Sequence, residues 1–499
     1  MTLPEISQNL PNDAKRIIDV VMAFNSKADY LSLLDIILTK MMEATYSDAG
    51  TLYTLDNDKL HFQIFKNNTL KISEIAQNMP PIELDDSNIE NISAYCAIKN
   101  ETVIVEDVYQ DKRFNFSGPE KYDTMTGYHT KSMLVIPLSN RDNDDVLGVI
   151  QLLNATNPNT GEPISYHDSY QPFGPALSRI AANTLANFLH TREIREVFLS
   201  FVQLITQTID ERSHTTKNHT QKLAKYCVSF SEYLGKTYPP GHQYYFDADH
   251  VETLRITALL HDVGKLATPS YILDKSNRLT DWQMQRVQAR FELKRAQIEV
   301  EYLKRLMTKD EYHHAHDELK KAYDLILRVN PSGFLPDDDY EKVCEISKIT
   351  VELEGKTISI LDRDDLDALK VKRGNLTDKE WVIMRDHINV SSRILNSTVF
   401  GKYYKDIPKW ACDHHEFLDG SGYPKGLKAN NIAIETCILT MMDIFEALTS
   451  KDRSYRSAMP PEKAIGILQK LAADGKLHVE LVDLFYNSKI WEAWFSDES

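Results

Sequence analysis

The hydrophobic pattern changes its period once along the chain, and this change limits the fold more than any other feature. Residues 1 to about 190 alternate between segments with helical spacing and short apolar runs typical of strands. From Ser213 to the end, almost every segment has helical spacing. With 499 residues the chain is long enough for two to four domains. We therefore expect a multidomain protein in which a mixed α/β (α+β) domain precedes an all-α domain.

The first region has the pattern of an antiparallel sheet flanked by helices. A helical stretch from about Ile17 to Thr45 leads into AGTLYTLDNDKLHFQIFKN, where two apolar runs flank an Asp-Asn-Asp turn, as in a hairpin. The segments ETVIVEDV, SMLVIPLSN and DVLGVIQLLNA predict three further strands, with the turn RDND between the last two. These features predict an α/β sandwich built around an antiparallel sheet.

Part of this region resembles a known sensor fold. The stretch from Thr126 to Ala155, TGYHTKSMLVIPLSNRDNDDVLGVIQLLNA, is similar to the second half of a GAF domain. The resemblance implies that residues 1–190 form a GAF-like domain that binds a small molecule. It does not name the ligand, because such domains take cyclic nucleotides or other small molecules.

A long helical segment, residues 176–212, is predicted to link the two regions. Its apolar residues recur at intervals of three, four and five: Leu177, Ile180, Leu185, Leu189, Ile194, Phe198, Phe201 and Ile205. A helix of this length between two domains often pairs with its twin, so we favour a homodimer through this helix. The alternative is a helix that packs only on its own domains.

The third region, residues 213–499, is interrupted by a charged insertion at about 277–375. Its charge density predicts a solvent-exposed helical hairpin. The insertion contains His313, His314 and His316, whose spacing resembles that of metal ligands. They lie in the strongly charged segment DEYHHAHDELKKAYD, so we assign them to the solvated surface.

Outside the insertion, histidines and aspartates recur in or beside apolar helical segments. They are His219, His261, Asp262, His387, His414, His415 and Asp443. Asp443 lies in CILTMMDIFEAL, where a buried carboxylate needs a cation or hydrogen-bond donors to offset its desolvation. Imidazole and carboxylate ligands without thiolate suit iron, manganese or zinc. Seven such ligands exceed what one catalytic metal takes, so they favour two metals bridged by a shared carboxylate.

The order of these motifs resembles that of the HD-GYP family of cyclic dinucleotide phosphodiesterases. The matching elements are HDVGK at 261–265, HHEFLDGSGYPKGL at 414–427 and MDIFEALTSKDRSYRSA at 442–458. The resemblance implies an all-α HD-type domain with two divalent ions, iron or manganese. One ion would be held by His219, His261, Asp262 and Asp443, and the other by His387, His414 and His415, with Asp262 bridging.

The same resemblance implies roles around the metals. Asp262 and Lys265 would be catalytic, with Lys265 meeting the attacked phosphate or helping to protonate the leaving oxygen. Substrate contacts would come from Gly422 and Tyr423 of the GYP element (Gly422-Tyr423-Pro424). Arg453 and Arg456, in the loop that follows the Asp443 helix, would supply further contacts. The insertion would lie outside the site, where it can still cap the cleft.

Composition excludes some partners. A net charge of −16 argues against a DNA- or RNA-binding protein, because such binding needs a basic surface. The chain has no apolar run long enough for a membrane span and no pattern of a signal peptide, and its five cysteines form no CxxC pair. We therefore expect a cytoplasmic protein that supplies positive charge to a phosphorylated substrate only locally.

Several functions stay open at this stage. The first is hydrolysis of cyclic di-GMP to the linear dinucleotide pGpG, with GMP as a further product. Some family members bind a third metal through a glutamate at the position of Thr215, so this chain is expected to hold two metals, and whether hydrolysis stops at pGpG or continues to GMP stays open. The alternatives are hydrolysis of hybrid 3′3′-cyclic GMP–AMP, a catalytically weak nucleotide receptor, and a wider HD phosphohydrolase, which would lack the GYP element.

Overall fold

The computed structural model describes residues 29–75, 79–139, 145–170, 174–212, 218–331, 333–402, 404–450 and 458–495. Its contacts divide the chain into two compact units, Met1–Val197 and Phe198–Ser499. The division falls within the helix that the sequence predicts as a linker. No helix in the described ranges has both the length and the hydropathy that crossing a membrane requires.

The first unit is built on an antiparallel sheet. Its described strands are β1 (Ser47–Asp56), β2 (Lys59–Asn67), β3 (Ile72–Ile75), β4 (Ile82–Glu83), β5 (Val103–Val105), β6 (Met133–Ser139) and β7 (Val146–Ala155). They lie in the order β3-β2-β1-β7-β6-β5, and β4 also pairs with β2. The predicted strands and the hairpin turn at Asn57 are confirmed, whereas the predicted turn at 141–144 lies outside the described residues.

Helices cover both faces of this sheet. They are α1 (Tyr30–Thr45), α2 (Ile92–Lys99), α3 (Ser117–Thr126), α4 (Tyr166–Tyr170) and the first part of α5 (Gly174–Arg212). Side chains of β6 alternate between the faces, since Leu134 and Ile136 join the core under α1 and α5 while Met133 and Val135 join the core under α2. The result is the α/β sandwich that the sequence predicts.

The second unit is helical outside the insertion. Its helices are α6 (His219–Thr237), α7 (Ala248–Leu260), α8 (Ser270–Leu273), α9 (Asp281–Leu303), α10 (Lys309–Val329), α11 (Asp337–Ile346), α12 (Arg363–Leu369), α13 (Asp378–Arg385), α14 (His387–Ser397), α15 (Ile407–Cys412), α16 (Ile434–Thr449), α17 (Pro461–Ala473) and α18 (Val479–Ser488). Phe230, Phe445 and Phe485 are fully buried in its core. Helix α16 contributes Ile438, Leu439 and Met442 to the same core, which explains its apolar sequence.

The insertion is more than the predicted exposed hairpin. Helices α9 and α10 do pack together, and a capping box starts each of them. The insertion also has α11, α12, a two-stranded sheet of β9 (Thr350–Leu353) and β10 (Lys356–Ser359), and a second one of β8 (Gly333–Phe334) and β11 (Arg373–Gly374). Its apolar residues form a core of their own, which includes Val287, Phe291, Ile326, Val343, Ile360 and Leu369. The high charge density concealed this core because the charged residues occupy the outer helix faces.

A buried arginine closes the base of the insertion. The side chain of Arg278 is 2% exposed. Its guanidinium donates hydrogen bonds to four backbone carbonyls, those of Val329 (2.6 Å), Pro331 (2.5 Å), Gly333 (2.8 Å) and Val371 (2.9 Å). Nearby, Lys275 pairs with Glu380 at 2.7 Å. These contacts join the point where the chain enters the insertion to the point where it leaves.

Candidate metal centre

The seven predicted ligands come together from five separate stretches of the second unit. His219 and His387 are the first residues of α6 and α14, and His261 with Asp262 follows the last residue of α7. His414 and His415 follow α15, and Asp443 lies within α16. Helix ends therefore supply all but one of the side chains. The structure brings together every predicted ligand, and their assignment to metals remains a prediction.

The side chains form three overlapping groups in which potential ligand atoms lie within 4.8 Å of one another. These groups are His219 with His261 and Asp443, then His387 with His414 and His415, and finally His261 with Asp262 and His414. Asp262 lies between the first two groups, because its Oδ2 is 3.0 Å from His261 Nε2 and its Oδ1 is 3.3 Å from His387 Nε2. This is the position that a bridging carboxylate requires.

Backbone hydrogen bonds fix the orientation of three imidazoles. The Nδ1 atoms of His261, His387 and His414 lie 2.6–2.7 Å from the carbonyl oxygens of Ala258, Met384 and Ala411. A carbonyl oxygen only accepts, so each Nδ1 carries a proton, and in the neutral imidazole each Nε2 presents a lone pair to the centre.

Buried acceptors consequently face one another. The Nε2 atoms of His261, His387 and His414 and Oδ1 of Asp262 are buried, and none of the described residues offers them a hydrogen-bond partner. An acceptor beside an acceptor is unfavourable in a buried site unless a cation lies between them. The residues present therefore fit a divalent metal centre.

Glu446 orients His219, and the sequence analysis did not identify it. Its Oε2 lies 2.5 Å from Nδ1 of His219, and its side chain is buried. A carboxylate at Nδ1 fixes the tautomer and leaves Nε2 directed at Asp443 Oδ1, 3.4 Å away. The available signal was the spacing of Asp443 and Glu446, which are three residues apart and therefore share one face of α16.

The protonation states suit metal binding. Burial and the neighbouring imidazole of His415 hold the pKa of His414 well below its usual value. Burial also lowers the pKa of His415 to about 4. Burial alone would raise the pKa of Asp443, but positive charge on the nearby side chains of His219 and His261, when they are protonated, lowers it. Near neutral pH the two imidazoles are neutral and the carboxylate is ionised, as metal ligation requires.

A glycine allows the loop after α7 to pack tightly against α14. A Cβ atom on Gly264 would lie 1.9 Å from the carbonyl oxygen of His387. The backbone N–H of Gly264 donates to Ser391 Oγ at 2.9 Å, and that hydroxyl lies 3.3 Å from the carbonyl oxygen of His261. Gly264 and Ser391 thus hold the loop that carries His261 and Asp262 against the helix that begins with His387.

The GYP element packs beside His415. Its Tyr423 ring lies 4.7 Å from the ring of His415. Glu416 is buried and accepts from the backbone N–H groups of Lys425 (2.7 Å) and Leu427 (2.9 Å), so it anchors this loop and is not directed at the centre. A Cβ on Gly422 would lie 2.4 Å from the backbone nitrogen of Phe417. Gly422 therefore has a packing role, and its predicted substrate contact remains a prediction.

The other predicted residues fall into three sets. Lys265 donates to Oδ2 of Asp262, so its ammonium lies at the centre as expected. Thr215, Arg453 and Arg456 lie outside the described residues. His313 and His314 are exposed on α10, and no potential metal-binding group within the described ranges includes them.

The first unit contains a cavity of about 680 Å³. Aromatic and amide side chains make up much of its wall, including Tyr53, Phe62, Phe65, Tyr122, Asn91 and Gln151. The described wall residues include the carboxylates Glu74 and Glu90 and no lysine or arginine. Such a wall suits a small aromatic ligand better than a phosphorylated one.

Comparison with known proteins assigns both units. Residues 29–184 match the GAF domain family, and residues 216–365 and 365–480 match two families that are both described as HD domain. The 3′3′-cGAMP-specific phosphodiesterase 3 of Vibrio cholerae is 39% identical over 103 residues, which are 21% of this chain and 22% of that protein.

Two further relatives give a similar result. The 3′3′-cGAMP-specific phosphodiesterase 1 of Vibrio cholerae is 22% identical over 289 residues, covering 58% of this chain and 41% of that protein. A cyclic di-GMP phosphodiesterase of Thermotoga maritima is 38% identical over 123 residues, covering 24% of this chain and 32% of that protein. The chain thus spans less than half the length of each of these curated relatives.

Proposed function

We propose, from the premise that this chain joins a GAF domain to an HD domain of the HD-GYP kind, that it hydrolyses a 3′–5′ phosphodiester bond of a cyclic dinucleotide. The observation that carries the proposal is the buried set formed by Nε2 of His261, His387 and His414 and Oδ1 of Asp262, which face one another without a hydrogen-bond donor among the described residues. Relatives named as cyclic dinucleotide phosphodiesterases support the substrate class.

Two divalent ions, iron or manganese, would be held by the seven side chains in the arrangement that the sequence predicts. His219, His261, Asp262 and Asp443 would form one ligand set, and His387, His414 and His415 the other, with Asp262 shared. Bound there, the ions would lower the pKa of a water molecule so that it can attack phosphorus near neutral pH.

Other side chains would then position the substrate. Lys265 lies beside Asp262, where its ammonium can meet the attacked phosphate or give a proton to the leaving oxygen. Tyr423 presents its ring next to His415, where it can contact a base or sugar. Arg453 and Arg456 are proposed as further phosphate contacts from the motif alone.

The preferred reaction is cleavage of cyclic di-GMP to pGpG. Thr215 offers no anionic ligand for a third metal, and this supports a reaction that ends at the linear dinucleotide. Hybrid 3′3′-cyclic GMP–AMP is the second candidate, because two of the relatives reported above are named as specific for it.

Chromatography of products tests the proposal. Metal-free chain and chain loaded with iron or manganese are incubated with cyclic di-GMP, with the hybrid dinucleotide and with cyclic di-AMP. We expect a linear dinucleotide only in the metal-loaded samples, with cyclic di-GMP consumed fastest. Intact substrate in every sample, together with tight binding, would support the receptor alternative instead.

The GAF domain is proposed to regulate this activity through a ligand in the 680 Å³ cavity. The carboxylates and aromatic rings of the wall support a neutral or cationic aromatic ligand. A ligand that binds one state of the enzyme better than another shifts the populations of the two states by at most that difference in affinity, and turnover changes with the populations. Turnover measured with and without candidate ligands checks this proposal, and an effect by none of them would contradict it.

A homodimer through α5 is proposed as the assembly. Ile194, Val197, Phe201 and Leu204 follow one another at intervals of three, four and three, and are 49–70% exposed. This heptad-like spacing suits pairing with a second copy, whereas Leu177 and Leu185 of the same helix are buried in the first unit. Light scattering should show a dimer that Phe201→Glu converts to a monomer, and a monomeric unmodified chain would contradict the proposal.

A further inference from the structure

A stacked arginine lies beside the candidate metal centre, at the end of α13. The guanidinium carbon of Arg385 is 5.1 Å from the centre of the Tyr423 ring and 5.6 Å from that of the Trp381 ring. Tyr423 in turn contacts His415. These contacts form a continuous series from a predicted metal ligand to the exposed surface of α13.

The described part of the protein does not neutralise the charge of Arg385. Among the described residues, no carboxylate pairs with Arg385, and its side chain is exposed. The neighbouring cations are engaged differently, since Lys265 pairs with Asp262 and Lys425 pairs with Asp413 at 2.7 Å. Arg385 is therefore available to an anion that approaches this side of the centre.

Cation–π contact leaves a guanidinium able to bind phosphate. The contacts with the two rings do not use the N–H donors of Arg385, so these donors stay free for a planar, bidentate contact. Such charge-assisted pairs are stronger than neutral hydrogen bonds. The chain carries a net charge of −16, so a phosphorylated ligand needs positive charge supplied at its own binding site.

A cyclic dinucleotide has two phosphates on opposite sides of its ring. When one phosphate is at the metals, the other extends away from them and needs a partner of its own. The series of contacts from His415 through Tyr423 to Arg385 leads away from the predicted ligands in this way.

We propose that Arg385, in contact with the rings of Trp381 and Tyr423, binds the phosphate that is not being cleaved. This inference rests on the proposed function and deepens it. A purely structural role is the competing explanation, because Trp381 and Arg385 are four residues apart on α13 and can stabilise that helix as a pair.

Steady-state kinetics of the full manganese-loaded chain separate these roles. For Arg385→Gln we expect the KM for cyclic di-GMP to rise about tenfold while kcat changes less than about twofold, as for a contact made equally in the ground and transition states. Arg385→Lys should recover only part of the loss, because an ammonium keeps the charge without the planar donors. The matched control is Arg393→Gln, which removes the same charge from an exposed position on α14 and should change neither constant.

A phosphodiester with a single phosphate, bis(p-nitrophenyl) phosphate, provides the decisive comparison. Its hydrolysis should be the same for Arg385→Gln and the unmodified chain, because it has no second phosphate to lose. An equal loss on both substrates would show a structural role and overturn the inference, as would an unchanged KM for cyclic di-GMP. A loss with cyclic di-GMP but not with cyclic di-AMP would make Arg385 a guanine contact and also overturn it.

The same assay distinguishes failure of the proposed function. If the unmodified chain hydrolyses bis(p-nitrophenyl) phosphate but no cyclic dinucleotide, the proposed reaction is wrong. Cyclic di-GMP would then be tested as an inhibitor of that hydrolysis. A tenfold weaker inhibition of Arg385→Gln would still support the phosphate contact, and equal inhibition would overturn it.

Discussion

Two buried polar clusters in the second unit differ in how their atoms are satisfied. Around Arg278, a guanidinium with 2% exposure donates to four carbonyls at 2.5–2.9 Å. Around Asp262, three imidazole nitrogens and a carboxylate oxygen are also buried and have no hydrogen-bond partner in the described part of the chain. The first cluster is satisfied by the described residues, and the second is not.

This difference indicates a structural role for the cluster around Arg278 and a functional role for the cluster around Asp262. Burying a polar group without a partner costs about 1–3 kcal/mol, so a satisfied cluster stabilises the fold and an unsatisfied one is retained at the expense of stability. Several such atoms converging on one point indicate a ligand that supplies the missing interactions. We therefore expect substitutions in the two clusters to have opposite signatures, and three predictions test this contrast.

The largest effect is expected for Asp262→Ala. Because Asp262 faces both groups of imidazoles, its loss should lower turnover by about a thousandfold or more, which corresponds to roughly 4 kcal/mol. Metal content, measured by atomic emission, should fall in parallel, while the free energy of unfolding of the metal-free chain changes little. His313→Ala serves as the control, and retained activity or metal in Asp262→Ala would contradict the bridging assignment.

Arg278→Met should show the reverse signature. Four buried carbonyls lose their donor, so we expect the free energy of unfolding, measured in urea, to fall by about 3 kcal/mol or more. The metal content of the folded fraction should stay unchanged. The control is Arg295→Met, whose exposed pair with Glu292 contributes less than about 1 kcal/mol. If Arg278→Met lost metal but kept its free energy of unfolding, the proposed difference between the two clusters would be wrong.

The smallest effect is expected for Glu446→Gln, which changes a partner of a predicted ligand rather than the ligand itself. A glutamine keeps the shape but weakens the interaction that orients His219, so metal affinity should fall about 10–100-fold. Competition with a chelator measures this affinity. Glu435→Gln, on the same helix, should leave it unaltered; equal affinities for both variants would show that Glu446 has no role at the centre.

The sequence predicted those parts of the molecule that local patterns or contiguous motifs encode. The short apolar run in SMLVIPLSN predicted β6, and the HDVGK and HHE elements predicted the positions of the candidate ligands. The comparisons confirm the GAF and HD domains. The partners of the ligands were not predicted, since Gly264 contacts Ser391 across 127 positions and His219 contacts Glu446 across 227.

The core of the insertion was missed for a related reason. Charged residues dominate the composition of α9 and α10, and the apolar residues that meet inside come from segments far apart, such as Phe291 and Leu369. Arg385 was missed because an arginine in a helix is ordinarily solvated. Only its placement over the ring of Tyr423, which lies outside its own helix, distinguishes it.

The position of the insertion's two ends explains why its length leaves the ligand set intact. The chain departs near Lys275 and returns near Glu380, and these two side chains are in contact. A segment that begins and ends at one place can grow or shrink without redirecting the helices on either side. The two HD matches meet at residue 365, which lies within the insertion. The number of residues between two motifs therefore says little about whether this chain is related to proteins with shorter spacings. The residues that surround each motif are more informative.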